Sequence, residues 1–80
     1  MLSPNDVLVI ARMKPRALVG VRKKYQLTQE QWAKLLVIPK RSIENWELGL
    51  RGPSAAAVTL YEILRDFPGT TEVLIRTRLE

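Results

Sequence analysis

Residues 28–49 read TQEQWAKLLVIPKRSIENWELG, two short helices around a tight turn. Thr28 can cap the first helix, and Gln31, three residues on, completes a capping box. Trp32, Leu35 and Leu36 then fall at i, i+3 and i+4 and form one buried stripe. Val37-Ile38-Pro39 interrupts that period. Pro39 has no N–H and a preset φ, so it suits the first turn of a second helix. In that helix Ile43 and Trp46 turn inward, Lys40, Arg41, Glu44 and Asn45 take the other side, and Gly49 is a natural stop. A short helix that buries one face and shows Lys-Arg-x-x-Glu-Asn on the other has the dimensions to enter a major groove.

Toward the amino terminus, Pro15 opens a helix over RALVGVRKKY, with Leu18, Val21 and Tyr25 inward and Arg22, Lys23 and Lys24 near the C-terminal end, where cations suit the dipole. Gly20 weakens this helix by about 1 kcal/mol relative to alanine, a cost that a close helix approach would explain. Before it, Ser3-Pro4-Asn5-Asp6 is a helix-start pattern, but the β-branched residues of VLVIARM suit a short helix or an edge strand. Either element stops near Lys14, because Pro15 disfavours the α conformation in the residue before it. Residues 1–14 therefore read as an N-terminal segment and 15–80 as the domain. Beyond the Leu50-Arg51-Gly52-Pro53 loop, Ser54 starts a helix over AAAVTLYEILRDF with Ala57, Leu60, Ile63, Leu64 and Phe67 buried. Pro68-Gly69 ends it, and Thr70 or Thr71 caps a last helix with Leu74, Ile75 and Leu79 as an apolar edge and Arg76 and Arg78 outside. The expectation is an all-α fold of about five short helices.

Composition narrows the function. Eighty residues make one small domain, and 46% apolar content suffices for a packed core. With no cysteine and no histidine, disulfides, thiol chemistry, the usual zinc sites and the commonest general base are all excluded. No metal and no cofactor are expected. No apolar run approaches bilayer length, and the amino terminus lacks a signal-peptide pattern, so a cytoplasmic location without membrane contact is expected. The net charge of +5 suggests a polyanionic partner.

Arg22, Leu27-Thr28-Gln29, Ala33, Leu36, Ser42-Ile43, Trp46-Glu47-x-Gly49 and Pro53-Ser54 together resemble the Cro/C1-type (Xre-like) helix-turn-helix DNA-binding domain, over about residues 15–70. Within it the chain looks most like the small regulators that serve as antitoxins to RelE/HigB-type toxins. The resemblance implies a lambda-repressor-like fold. Val37 stands where the family's turn usually has glycine, Pro39 where it has a serine or threonine cap, and Gln26 also replaces a common glycine. A β-branched residue is poor at positive φ, so the turn is expected to be rebuilt with Val37 in an ordinary region.

Lys40 and Arg41 sit at the helix end that disfavours cations, so helix stability does not explain them. Groove contact does: Arg41 can fork onto guanine O6/N7, Lys40 can reach a base or phosphate, Asn45 can pair with adenine N6/N7, and Glu44 can accept from cytosine N4. The competing reading is a solvated polar face. The family uses the equivalent of Gln29, with the helix N-terminal amides beside Thr28, to grip phosphate. Lys34 and Arg51, with Lys23 and Lys24, are further candidate phosphate neighbours. Arg22 and Glu47 are expected, by resemblance, to form a partly buried structural ion pair. Trp32, Trp46, Tyr25 and Tyr61 read as core; stacking on single-stranded bases would need an exposed aromatic, for which Tyr61 is the one candidate.

Three functions compete. The first is a sequence-specific double-stranded DNA-binding repressor acting as a homodimer on a pseudo-palindromic operator, through the final helices or the amino-terminal segment. The second is a protein-interaction module, such as an antitoxin that covers a small basic toxin protein. An enzyme is the third and is not expected, because no nucleophile–base pair or phosphate-cradling glycine loop is present.

Overall fold

The computed structural model describes residues 13–80. Five α-helices follow in order: α1 Pro15–Lys24, α2 Gln29–Leu36, α3 Lys40–Leu48, α4 Ala55–Asp66 and α5 Pro68–Arg78. The described residues are all-helical, and α2 and α3 form the helix-turn-helix. The helix-or-strand alternatives for VLVIARM lie outside the described residues, except that Met13 is half-buried against the core. Lys14 is extended (φ −68, ψ 148) ahead of Pro15, as the clash with the proline ring requires.

Local chemistry sets two helix starts. At α2 the capping box is complete: Thr28 Oγ1 accepts from the Gln31 amide at 3.1 Å and Gln31 Oε1 from the Thr28 amide at 2.9 Å. At α4 Ser54 Oγ accepts from the Ala57 amide at 3.1 Å. Each satisfies an amide that the helix itself leaves unpaired. Leu18 and Val21 of α1, Trp32, Leu35 and Leu36 of α2, Ile43 of α3 and Tyr61 and Leu64 of α4 meet in one buried cluster. Trp32 packs edge-on to Tyr61 with ring centroids 5.5 Å apart, and Trp46 does so at 6.3 Å.

Four expectations are corrected. Val37 is left-handed (φ 56, ψ 48), and its backbone closes the end of α2 on Ala33 and Lys34; closure of α2 overrides the preference of a β-branched side chain. Helix α4 turns Ala57, Val58, Tyr61 and Leu64 inward and leaves Ile63 and Phe67 exposed. Ala57 and Leu64 are buried and Leu60 packs against the core as expected, but the sequence is apolar on two faces, and periodicity alone set Ile63 and Phe67 on the wrong one. Tyr61 is wholly buried, in keeping with its reading as core, and is available to no base. The last helix starts at Pro68, and Thr71 is buried inside it, its hydroxyl donating to the Leu64 carbonyl at 3.0 Å. Finally, among the described residues nothing lies within 4 Å of a Cβ built on Gly20, so none of the described helices makes the close approach expected there.

Candidate nucleic-acid interface

Helix α3 has an inner and an outer flank. On the inner flank Glu47 Oε2 accepts from Arg22 Nε and Oε1 from Arg22 Nη2, both at 2.8 Å. Arg22 Nη1 donates to the Leu27 carbonyl at 2.8 Å, and Gln29 Nε2 adds a bond to Glu47 Oε1 at 3.0 Å. The side chains of Arg22 and Glu47 are 12% and 6% exposed. Burial pushes the Glu47 carboxyl up, but the hydrogen bonds from Arg22 and Gln29 and the nearby charges of Arg22 and Lys23 together hold it below the ordinary glutamate range. The joint ties α1 and the start of α2 to α3.

The outer flank faces solvent. Lys40 and Arg41 are exposed, and Glu44 and Asn45 are partly exposed. No side chain caps α3 at Pro39, and its first turn carries no acid, so the positive end of the helix dipole and two cations lie together. Among the described residues neither Lys40 nor Arg41 enters an ion pair. At the other end Gly49 takes a positive φ of 76, and the Leu50 and Arg51 amides fold back onto the Asn45 carbonyl at 2.9 and 3.4 Å. That reversal sets Arg51 beside Arg41 and Asn45, around an open polar hollow of about 490 Å³ that Pro39, Ser42 and Leu50 complete.

The candidate residues thus fall into three groups. Arg41, Asn45 and Arg51 share the hollow. Lys34 and Lys40 share a shallow apolar shelf with Val37 and Pro39 on the other side of the turn. Thr28 and Gln29 stand at the start of α2, Thr28 engaged in its capping box and Gln29 reaching Glu47. Glu44 lines neither concavity. Sequence reasoning missed two participants. The Gln29–Glu47 bond spans 18 positions, and no periodicity signals it. Leu50, 69% exposed at the rim of the hollow, had a usable signal: it follows the glycine that reverses the chain.

Five helices with α2 and α3 set around a tight turn, and a polar outer flank on α3, define a helix-turn-helix domain. No family model matches the chain. It is similar to Antitoxin HigA-2 of Vibrio cholerae serotype O1 (strain ATCC 39315 / El Tor Inaba N16961), 33% identical over 66 residues, which are 82% of this chain and 62% of that relative. The chain therefore spans less than two thirds of the relative's length. No described helix is long and apolar enough to cross a membrane.

Proposed function

We propose that the chain is a sequence-specific double-stranded DNA-binding regulator of the antitoxin kind, a repressor that acts in the cytoplasm as a homodimer on a pseudo-palindromic operator. The observation that carries this reading is the group Arg41, Asn45 and Arg51 around one solvent-open hollow on α3. Arg41 and Asn45 are one helical turn apart, so both can address edges of neighbouring base pairs: the guanidinium forks onto guanine O6/N7, and the amide pairs with adenine N6/N7. Lys40 and Glu44 extend the same reading face. Arg51 and Lys34 take backbone phosphates on either side, and the α2 start at Thr28 and Gln29 offers amides and a positive dipole end to another phosphate. In this reading the chain is a binder and not an enzyme.

Selection from a random duplex library, followed by a salt titration on the winning site, tests it. The expected result is an inverted repeat with half-sites about one helical turn apart and a log–log salt slope of about −0.9 per phosphate contacted. Recovery of no preferred duplex, or a slope near zero, would sink the reading.

The similarity to Antitoxin HigA-2 favours a second reading, in which the chain also binds a small basic toxin. Co-purification of such a partner from cells expressing the surrounding genes tests this directly. Capture of the partner with no duplex retarded would leave the toxin-binding reading alone.

A further inference from the structure

Helix α4 carries a second apolar face beside the one turned to the core, and only Leu60 of it also packs against the core. Ala56, Leu60, Ile63 and Phe67 recur at i, i+4, i+7 and i+11 and so line one stripe. Ala56 is exposed, Leu60 is half-buried, Ile63 is 39% exposed and Phe67 61%. At about 1.5 Å per residue the stripe runs about 16 Å along the axis. Its Ala56 end opens into an apolar groove of about 360 Å³ bounded by Leu36, Ile38, Trp46, Ala57 and Leu60. The groove reaches α3 through Trp46, so whatever fills it sits next to the reading helix.

The stripe fits itself when turned end for end. Two copies of α4 laid antiparallel about a two-fold axis between positions 61 and 62 set Ala56 against the partner's Phe67 and Leu60 against the partner's Ile63. Each Phe67 then enters the groove beside the other copy's Ala56, a large side chain into a hollow next to a small one. An isologous interface demands this self-complementarity. Charge agrees with shape. The stripe carries no ionisable side chain, so no like charges meet across the axis. Asp66 at the end of one α4 comes beside the first turn of the other, which holds no acid and is the positive end of the dipole.

We propose that Ala56, Leu60, Ile63 and Phe67 of α4 form an antiparallel, two-fold contact with the same stripe of a second copy of this chain. The proposal deepens the homodimer of the functional reading above by naming its interface. A strip this long and one helix wide is on the order of half of a standard interface of about 1,600 Å². The pair is therefore weak by itself, and two reading helices on one duplex complete the assembly.

Sedimentation equilibrium without DNA, from about 10 µM to about 1 mM, tests the contact directly. The wild-type chain is expected to pass from monomer to dimer across that range. Phe67→Ala weakens the dimer about tenfold by emptying the groove, and Ala56→Phe about tenfold by setting two phenylalanines face to face. The double variant Ala56→Phe/Phe67→Ala exchanges knob and hollow and recovers to within about threefold of wild type. Ile63→Lys with Leu60→Glu gives an independent exchange, the single lysine weakening the dimer and the added glutamate restoring it. A wild-type monomer up to about 1 mM, single variants that dimerise like wild type, or double variants no better than the singles would each overturn the proposal. Circular-dichroism melting of every variant separates a lost contact from a lost fold. Since no duplex is present, failure to bind DNA leaves this result standing. Conversely, a strict monomer that still selects an inverted repeat removes the contact and not the DNA reading.

Discussion

The two flanks of α3 use the same side-chain chemistry for opposite ends. On the inner flank one arginine, one glutamine and one glutamate satisfy each other at 2.8–3.0 Å with little exposure. On the outer flank Arg41 and Asn45 meet no partner of that kind among the described residues and stand around a solvent-open hollow. A buried charge without a partner is costly, whereas an exposed one is already solvated and costs little to leave waiting. The difference therefore separates a joint that fixes α3 from a surface that α3 presents. It also sorts mutations in advance: inner changes are read in stability, outer ones in binding.

The largest expected effect is at the joint. Arg22→Ala leaves Glu47 nearly buried without its fork and is expected to cost about 3 kcal/mol, which lowers Tm by about 12 °C or more in a domain of this size. Thermal melting checks it; a loss below about 1 kcal/mol would mean that water already reaches the pair. The same joint has an acid limb. The Glu47 carboxyl is held low in the folded chain, so its contribution is present above the ordinary glutamate value of about 4.3. It is lost as pH falls further, through the lowered value. Melting temperatures are expected to fall below about pH 4.3, and Glu47→Gln removes that part of the decline at the price of a lower plateau. At the alkaline end burial pushes the Tyr61 phenol up to about 12. Its spectroscopic titration is accordingly expected above the ordinary tyrosine value of about 10.

Next in size is the outer flank. Arg41→Ala with Asn45→Ala removes two base contacts worth about 1–3 kcal/mol each and is expected to weaken a selected operator about hundredfold. Melting should change by no more than about 0.5 kcal/mol, as for other surface changes. If the melting temperature fell as much as the affinity, the two flanks would not be separable, and the outer face would belong to the fold.

How much of this was legible in the sequence depends on how local the cause is. The Thr28 box and the Ser54 cap each need only four consecutive positions, and both starts were readable. The second face of α4 was not. Val58 and Tyr61 face the core where Ile63 and Phe67 were expected, because both sets are apolar and only the neighbouring helices choose between them. Thr71 misled for a related reason: a threonine ahead of an apolar run looks like a cap, yet Pro68 starts the helix one turn earlier and the hydroxyl is used inside. Arg78 is exposed as expected, but the bond from its guanidinium to the Leu35 carbonyl at 2.6 Å, across 43 positions, had no local signal. For the candidate interface, the polar side of α3 was readable from its spacing. That Arg51 joins Arg41 in one hollow was not, since it depends on the reversal at Gly49.

The smallest effect is at the turn and decides what holds α3 at its angle. Val37 is left-handed with its side chain 74% exposed, so its strain of about 1–2 kcal/mol is offset by almost no burial of its own. Val37→Gly relieves that strain and gives back part of the gain through the added freedom of the unfolded chain. A net stabilisation of about 1 kcal/mol is expected, visible as a rise in Tm of about 4–8 °C. Gln26→Gly, at a similar φ of 57, should give less, since its side chain is unbranched at Cβ. If the Arg22–Glu47–Gln29 joint alone fixes α3, affinity for a selected operator stays within about twofold in Val37→Gly while the melt moves. Loss of affinity in that more stable variant would show that the strained turn, and not the buried joint, sets how the outer flank meets the groove.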